Sequence, residues 1–524
     1  MLMATFDVEK EAEPLNPRLG SLSIPGRPAV PTPHYIANTS RGVVPHLSQD
    51  NLERHTDING LYVGLEDFIE KAPQETPPVF STPCGPRESL LRRFIAVQDD
   101  QLLVLGPRRV PALDSPGSNT NTGIQIHTSV GHRSLPSEYY ASATTKLRPD
   151  VVVGLGDVMH GHANPSLKRV DKMGDRTTEW TKDLIAATSY ASRSNGNDSN
   201  GTNGNATSST SNSKTPAIFA PILPIEAEQQ SYYLNDLKSS SIAPKLSGLA
   251  LYSTASVDVI PSSLSHLPLL SLSDPPTPAK LLREISLGVD LFVLPFVDKA
   301  TDAGLILTFA FPAPQSQLST PGATQNESKS KTPLGIDAWD ASHATSLSPP
   351  CATCPCYTCT HHHRAYIQHL LAAKEMLGWV LLQLHNHSVL SRFFAGVRAT
   401  LSTGADAFER EVDRFERVYE EALPQTTGAG PRVRGYMFRS RGAGEARRNE
   451  RGFARVLGAD GDGYGNAAGD GASSNGVDGE AETGEVMAAA VQGLQVDDAD
   501  AVTPGEVGAD AGELVQRGFA GDER

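Results

Sequence analysis

The sequence predicts an α/β protein, and one TIM (β/α)8 barrel with insertions fits its 524 residues. Asp150–Leu155 is a continuous apolar run that follows a proline, which is typical of a strand buried on both faces of a parallel sheet. Short apolar runs of this kind alternate along the chain with amphipathic segments such as Arg176–Ala191. This alternation indicates βα units, the repeat from which a parallel barrel is built.

Most of the predicted elements fall in the first three hundred residues. Short apolar runs broken by proline and glycine between Leu19 and Val63 indicate strands joined by turns. The later strand candidates are Leu102–Leu105, Asp150–Leu155, Ala217–Ile225, Leu246–Tyr252, Pro268–Leu272 and Leu291–Phe296. The helix candidates are Arg176–Ala191, Gln229–Lys238, Lys280–Leu287 and Ala365–His385.

Composition divides the chain into parts that pack and parts that do not. Residues 192–215 are almost entirely Ser, Asn, Gly and Thr, too polar to pack, and indicate a disordered insertion within the barrel. The expected parts are, in order, a flexible N-terminus (1–15), the barrel body (16–312), an insertion rich in Pro, Ser and Thr (313–350), a metal-binding segment with closing helices (351–425) and a disordered, basic and then acidic tail (426–524).

The formal net charge of −15 belongs to the tail. Residues 456–524 contain 15 acidic residues and two arginines, so the remaining chain is nearly neutral. An acidic tail most often serves solubility and by itself indicates no partner. Residues 432–455 contain eight arginines together with Tyr436 and Phe438. They are equally consistent with contacts to RNA phosphates and with a flexible linker that offsets the acidic tail.

Cysteine usage and the N-terminus indicate a reducing compartment. Four of the five cysteines lie within the nine residues from Cys351 to Cys359, which is unlike the disulfide framework of a secreted protein. The N-terminus has acidic residues and no long apolar run, so we predict neither a signal peptide nor a transmembrane helix. We therefore expect a cytoplasmic protein.

Cys354, Cys356, Cys359 and His385 form the most informative motif of the chain. Three thiolates and one imidazole are the ligands of a closed tetrahedral Cys₃His zinc site. A tight turn presents three sulfurs to one point, and the predicted helix Ala365–His385 brings the imidazole back to them. A site with four protein ligands leaves no position for a substrate, so we expect one structural Zn²⁺ per subunit. Cys351 fits this spacing less well, and the run His361–His363 indicates a solvated helix start rather than a second metal site.

The zinc motif and its surroundings resemble one known family. Cys-Pro-Cys-Tyr-Thr-Cys (354–359), Arg364–Leu370 and Leu384-His385-Asn386 resemble the zinc subdomain of the tRNA-guanine transglycosylases, TIM-barrel enzymes that exchange a guanine in tRNA for a deazaguanine base. The segments Tyr35–Leu47 and Lys168–Trp180 resemble the same family. The resemblance runs with gaps from about residue 17 to about residue 423, and is greatest to the non-catalytic subunit of the eukaryotic enzymes, in a fungal-type version.

Catalytic carboxylates of the family are missing at the matching positions. The family's nucleophile motif, Gly-x-Asp-x-Phe-Asp, reads Gly288-Val289-Asp290-Leu291-Phe292-Val293 here, so Val293 stands at the nucleophile and Asp290 at a non-catalytic position. Asp298, expected on the loop that follows, lies five residues too far along the chain.

The family's second catalytic motif, Asp-Ser-Gly-Gly-Phe-Gln, is also absent. Asp114 begins a superficial look-alike in a loop, and Gly123–Val130, which lacks aspartate, is its better counterpart. The base-recognition aspartate aligns with Gly156, next to Asp157, and Gly248 matches a glycine that lines the family's base pocket. We therefore assign no catalytic and no base-binding residue.

This pattern implies a pseudo-enzyme that supports an active partner. By the resemblance, the chain is the non-catalytic subunit of a heterodimer that exchanges guanine for queuine at tRNA position 34. Its partners are then the catalytic subunit and tRNA, and its location is cytoplasmic, with peripheral association at the outer mitochondrial membrane. The apolar face of Arg364–His385 is wide enough for a subunit interface or for packing within the chain. Two other functions stay open: an active homodimeric transglycosylase, and a zinc-stabilised RNA-binding scaffold.

Overall fold

Eight parallel strands form a closed barrel in the computed structural model, which confirms the predicted fold class. The structure describes residues 4–9, 16–72, 75–85, 88–113, 118–128, 131–160, 165–194, 215–314, 331–428 and 430–431. All of them fall within the first of two units into which the chain divides, Met1–Gly461. The arginine-rich stretch 432–455, Asp114 and nearly all of the expected insertion 192–215 lie outside the described residues.

The strands of the described residues belong to the barrel and to three small antiparallel sheets. They are β1 (Thr5–Val8), β2 (Gly20–Ser23), β3 (Val30–Thr32), β4 (His34–Asn38), β5 (Gly60–Gly64), β6 (Leu102–Gly106), β7 (Gly123–Thr128), β8 (Gly131–Pro136), β9 (Val151–Val153), β10 (Ala217–Ile222), β11 (Leu246–Leu251), β12 (Leu269–Ser271), β13 (Leu291–Val293), β14 (Leu305–Leu307) and β15 (Gly335–Asp337). Around the barrel the order is β4, β5, β6, β9, β10, β11, β12 and β13, and β13 pairs in parallel with β4 to close it.

Helices cover the outside of the barrel and form the C-terminal part. They are α1 (Gln49–His55), α2 (Pro78–Ser81), α3 (Leu90–Phe94), α4 (Ser137–Leu147), α5 (Leu167–Ser194), α6 (Ser231–Leu237), α7 (Pro278–Ser286), α8 (Phe296–Asp302), α9 (Tyr357–His361), α10 (Arg364–Ala372), α11 (Met376–Thr403) and α12 (Ala405–Val418). The predicted helices before residue 300 are all present, and α5 begins nine residues before the predicted start at Arg176.

Apolar side chains fill the barrel interior. All three valines of β9 are buried, as the continuous run predicts for a strand between two apolar layers. Phe219 on β10 is fully buried, and a Cβ at Gly248 on β11 would lie 2.5 Å from its ring. Packing against Phe219 therefore requires a glycine at residue 248, which removes the reason to assign it to a base pocket.

A small N-terminal sheet closes the amino-terminal end of the barrel. We expected residues 1–15 to be flexible, but β1 pairs with β2 in an antiparallel sheet that β3 completes. Leu22, Ile24 and Val30 of this sheet pack in one cluster with the interior side chains of the barrel. Pairing with β2 satisfies the backbone of β1, whose own sequence is too polar and short to signal a strand.

Buried ion pairs fix this sheet to the first residues of the barrel strands. Arg18 Nε donates to Asp290 Oδ1 at 2.9 Å, and the same guanidinium donates to the carbonyl oxygens of Ser265 and Leu267. Burial raises the pKa of Asp290, and Arg18 opposes this effect. On the far side of the barrel, Arg27 and Arg92 contact Asp150 at 3.0 and 2.8 Å.

The C-terminal part packs helices against a two-stranded sheet. β14 pairs with β15 in antiparallel register, so part of the segment expected as an insertion at 313–350 contributes a strand. Residues 315–330 of that segment lie outside the described residues. No helix in the described ranges is long and apolar enough to cross a membrane.

The prediction of one helix over Ala365–His385 is wrong. α10 ends at Ala372, and α11 begins at Met376 after Lys374 adopts a left-handed backbone with φ of 57°. The amide of Glu375 donates to the carbonyl of Leu370, which satisfies the end of α10. Gly378 then allows α11 to approach Leu371, because a Cβ there would lie 3.1 Å from that side chain. Neither glycine nor proline stands at residues 373–375, so the sequence carries no signal for the turn.

We expect Arg18→Met to lower the free energy of unfolding by about 3–5 kcal/mol, because Asp290 is left as a buried carboxylate without its cation. The loss grows as pH rises, because the folded variant retains a proton on Asp290 that the unfolded chain releases. Urea denaturation between pH 5 and pH 8 measures both effects.

Arg283→Met is the matched control for that measurement. Arg283 pairs with Glu416 at the surface with its side chain 58% exposed, so its removal changes stability by less than about 1 kcal/mol. Equal losses for the two variants would contradict the structural role of Arg18.

Candidate metal centre and the mouth of the barrel

The four residues of the predicted metal motif meet at one point. The ligand atoms of Cys354, Cys356, Cys359 and His385 all lie within 4.8 Å of one another. Among the described residues they are the one group of His, Cys, Asp and Glu whose atoms could hold a metal ion. Cys351 is outside this group, in agreement with its less suitable spacing.

Local structure fixes each ligand of the cluster. Cys356 caps α9, and its sulfur accepts from the amide of Cys359 at 3.4 Å, so the two thiols lie on one side of the first turn. His385 lies on α11, fully buried, and its Nε2 contacts the carbonyl oxygen of Leu307 on β14 at 2.9 Å. A carbonyl can only accept, so Nε2 carries the proton and the lone pair of Nδ1 faces the cysteines.

The distances between the ligand atoms fit a metal ion with tetrahedral coordination. Nδ1 of His385 lies 3.3 Å from Cys359 Sγ and 3.6 Å from Cys356 Sγ. Tetrahedral ligation at ordinary Zn–S and Zn–N lengths separates sulfur and nitrogen ligands by about 3.5 Å. The cluster is thus already arranged as a first coordination shell, and the bond to Leu307 supplies the outer partner that ligating histidines usually have.

The cysteines and the histidine of the cluster shift one another's pKa values. Hydrogen bonds with Cys356 and Cys359 lower the pKa of the Cys354 thiol, and the hydrogen bond with Cys354 raises the pKa of Cys359. Burial lowers the pKa of His385, but hydrogen bonds from Cys354 and Cys356 outweigh it and bring the value to about 10. A proton on Nδ1 would occupy the position of a metal, so the same negative field that stabilises the proton favours a cation.

The remaining histidines of this segment are not part of the cluster. His363 caps α10 and accepts from the amide of Tyr366 at 3.2 Å, and His361 lies exposed at the end of α9. His369 is exposed on α10, whereas His387 is buried against Tyr35, with the rings stacked at 5.8 Å. Their contacts give them capping, surface and packing roles.

Val293 is the last residue of β13, at the carboxyl end where barrel enzymes place catalytic groups. Its side chain is fully buried among the interior apolar residues. A valine has neither the lone pair nor the charge to attack a ribose carbon. The strand end that carries the family's nucleophile therefore continues the apolar core in this chain.

Asp298 lies on a helix, not on the loop where we expected it. It belongs to the first turn of α8 and is 7% exposed. Oδ1 accepts from Gln383 at 2.7 Å and Oδ2 accepts from Asn38 at 3.2 Å. These contacts place the carboxyl between the barrel and α11. It does not line the cavity, described below, at the carboxyl ends of the barrel strands.

The surroundings of Asp298 favour the protonated form of its carboxyl. Burial raises the pKa of Asp298 to about 7, although the bonds from Gln383 and Asn38 oppose the shift. The amide oxygens of Asn38 and Gln383 are buried without a partner. With either amide rotated by a half-turn, its oxygen would face the carboxyl and could accept from a protonated Asp298, which a carboxylate does not allow.

Asp290 and Asp157, which we also considered from the sequence, are both held by arginines. Asp290 is at the amino-terminal end of its strand, bound by Arg18. Asp157 is fully buried, contacts Arg169 and Arg176, and accepts from Asn119 Nδ2 at 2.7 Å. Neither carboxylate is free to receive a nucleobase.

The segment that we expected to match the family's second catalytic motif lies outside the barrel. Gly123–Thr128 is β7, one strand of an antiparallel hairpin outside the barrel, so Gly123–Val130 does not occupy a barrel strand end. The third barrel strand, β6, ends at Gly106 and continues into Pro107, Arg108 and Arg109. Two arginines therefore follow the strand end where an acidic residue was sought.

A cavity of about 280 Å³ opens at the carboxyl ends of the barrel strands. Its polar and aromatic lining consists of Tyr62, Arg108, Arg109, His160, Tyr252, Ser273 and Asp274. Burial raises the pKa of Asp274, and Lys299 contacts it at 2.8 Å. Sequence reasoning missed this set, although the Gly-Pro-Arg-Arg that follows the strand candidate Leu102–Leu105 was a visible signal.

A family model described as queuine tRNA-ribosyltransferase matches residues 14–421, most of the chain. The chain belongs to this family. It is 33% identical over 427 residues to a queuine tRNA-ribosyltransferase accessory subunit 2 of Schizosaccharomyces pombe, covering 82% of this chain and 87% of the relative. A protein of the same name from Xenopus tropicalis is 26% identical over 417 residues, covering 74% of this chain and 94% of the relative.

We expect Asp298→Asn to remove a pH dependence of stability. The folded wild type holds a proton on Asp298 that the unfolded chain releases, so its stability falls as pH rises toward 7 and is level above it. Relative to the variant, the fall is at most about 1.4 kcal/mol per pH unit. Denaturation at a series of pH values measures it. Asp258→Asn, at an exposed position, should leave the wild-type profile in place; identical profiles for all three proteins would contradict a buried proton.

Proposed function

We propose that this chain is the non-catalytic accessory subunit of a heterodimeric queuine tRNA-ribosyltransferase, which exchanges guanine for queuine at tRNA position 34. The observation that carries the proposal is Val293, a fully buried apolar residue at the strand end that bears the nucleophile in the active members of the family. The names of the relatives from Schizosaccharomyces pombe and Xenopus tropicalis support the same role.

The proposed metal is one structural Zn²⁺ per chain, held by Cys354, Cys356, Cys359 and His385. Three sulfurs and one imidazole favour zinc over cations that prefer oxygen ligands. Four protein ligands close the coordination sphere, so the ion would cross-link α9, α11 and the turn at Cys354. Its role is then to hold the C-terminal subdomain, and no substrate chemistry is assigned to it.

The proposed partners are the catalytic subunit and tRNA. Leu347, Met376 and Leu377 are large apolar side chains of the C-terminal part, and they are 77%, 47% and 42% exposed. Exposed apolar residues of this size favour a protein contact over a purely solvated surface. The start of α11, which carries Met376 and Leu377, is thus the first region to test for a subunit interface.

We propose a cytoplasmic location, which the unpaired cysteines of the cluster support because thiols remain reduced there. Peripheral association with the outer mitochondrial membrane is part of the proposal on the family resemblance alone. The alternative of an active homodimeric transglycosylase would need a carboxylate at the mouth. Asp274 is the one described carboxylate that lines the cavity, and it is bound to Lys299. The alternative of a zinc-stabilised RNA-binding scaffold would require that no catalytic partner binds.

We expect Cys359→Ser to lower the metal content from one zinc per chain to well below one. The free energy of unfolding should fall by about 3–4 kcal/mol when free zinc is about 100–1,000 times the dissociation constant for the wild type. Acid should release the metal from the wild type, because protons compete for the thiolates. Elemental analysis and thermal denaturation measure these effects. Cys351→Ser, in the same segment but outside the cluster, is the control and should retain the metal; loss from both variants would mean that the ligand set is wrong.

We expect radiolabelled guanine exchange into tRNA only when the chain and a catalytic subunit are mixed. Each protein is assayed alone and in an equimolar mixture, with complex formation followed by size-exclusion chromatography. Activity of this chain alone would overturn the accessory role, and a mixture that forms no complex would favour the scaffold alternative. Asp298→Asn should leave the activity of the mixture unchanged, because its carboxyl lies outside the cavity.

A further inference from the structure

Arg108 is a buried cation at the mouth of the barrel. It follows β6, lines the mouth cavity and is 7% exposed. Its guanidinium has no hydrogen-bond or ion-pair partner among the residues that the structure describes. Tyr62, itself buried, donates from its hydroxyl to the Arg108 carbonyl oxygen at 2.7 Å and so fixes the backbone at this position.

The charged side chains described near Arg108 form ion pairs with one another. Arg109 contacts Glu66 and Asp67 at 2.8 and 2.9 Å. Arg169 and Arg176 share Asp157. Lys299 holds the cavity carboxyl Asp274 at 2.8 Å. None of these contacts supplies a carboxylate to Arg108 within the part of the chain that the structure describes.

An arginine in this position is costly unless an anion neutralises it. A guanidinium is protonated at every physiological pH, and burial without a counter-charge is strongly unfavourable. Burial lowers the pKa of Arg108, and the nearby Glu66 only partly opposes this effect. A buried guanidinium at the wall of a cavity therefore indicates a ligand that carries a negative charge.

The cavity restricts what that ligand can be. A volume of about 280 Å³ is at the small end of ligand pockets and fits one small molecule. A neutral base would leave Arg108 uncompensated, whereas phosphate oxygens accept two parallel bonds from a guanidinium. The phenol of Tyr252, whose pKa is raised to about 12 by burial, stays neutral and can donate to the same oxygens. His160 lies at the wall beside it, with the rings 6.3 Å apart.

We propose that the mouth cavity, without its catalytic carboxylate, binds a phosphate group through Arg108. The cavity volume favours a small phosphate monoester such as a nucleoside monophosphate, and the same chemistry would also accept one backbone phosphate of tRNA. This role goes beyond the accessory function and does not depend on it.

Calorimetric titration of the full-length chain in chloride buffer tests the proposal. The probes are inorganic phosphate, guanosine monophosphate and guanosine. Wild type should bind the two phosphate-bearing probes with dissociation constants of about 1 mM or tighter and should not bind guanosine. Arg108→Gln should weaken both by about ten- to a hundredfold, because charge-assisted bonds are lost. Arg108→Lys keeps the positive charge but cannot form two parallel hydrogen bonds, so it should retain part of the affinity.

Arg283→Gln is the matched control, an exposed arginine on α7 outside the cavity, and should bind like wild type. Without phosphate, Arg108→Gln should be at least as stable as wild type on thermal denaturation, because an uncompensated buried charge is removed. A lower stability would indicate that Arg108 has a structural partner and would count against the proposal.

A second arm with tRNA identifies the source of the phosphate. Nucleotide binding that is unchanged by saturating tRNA identifies a free phosphate monoester. Displacement by tRNA, together with weaker tRNA binding by Arg108→Gln, identifies a backbone phosphate. Two results would overturn the proposal. In the first, wild type binds neither phosphate probe with a dissociation constant below about 10 mM, and Arg108→Gln binds tRNA like wild type. In the second, guanosine binds as tightly as guanosine monophosphate. The wild-type titrations decide these outcomes even if the variants fail to fold.

Discussion

The contacts of α11 with the barrel hold the C-terminal half of the structure in place. His385 on this helix reaches the cysteines with one ring nitrogen and Leu307 with the other. The next residue, Asn386, accepts from the amide of Leu307 and donates to Thr301 and Leu305, so it pairs with the open edge of β14. One turn of helix thus connects the metal cluster, the small sheet and the last barrel helix. Because every one of these polar groups is buried, a shift of α11 would leave several unsatisfied at once. The same stretch, Leu384-His385-Asn386, was among the residues on which the family resemblance rested.

The carboxyl ends of the barrel strands combine an apolar position with buried ion pairs. Val293 extends the apolar core, whereas Asp157 contacts two arginines and Asp274 contacts Lys299. Arg169 and Arg176 belong to Lys168–Trp180, another segment of the family resemblance, and they hold Asp157 from α5. A carboxylate that must stay buried and ionised requires such partners. The segment therefore stabilises a strand end, and the fold requires this contribution whether or not the chain catalyses a reaction.

The sequence predicted what depends on local pattern and missed what depends on long-range pairing. The continuous apolar run of β9 and the spacing of the three cysteines correctly predicted the barrel strand and the cysteine part of the metal cluster, because both are patterns of residues close together in sequence. β1 was missed because its strand character comes from pairing with β2. The turn at Lys374 was missed because no glycine or proline marks it. The position of Asp298 depends on Gln383 and Asn38, residues separated from it by 85 and 260 positions, and no local pattern encodes that contact.

The environment of Arg108 also depends on contacts between residues that are distant in sequence. From sequence, two adjacent arginines after a strand are indistinguishable. Among the residues that the structure describes, Glu66 and Asp67 contact Arg109, and no carboxylate contacts Arg108. A buried cation without a counter-charge reduces the stability of the folded chain, whereas a bound anion would remove this cost. The position of Arg108 at the wall of a cavity is therefore the physical basis on which we propose an anion at the mouth of the barrel.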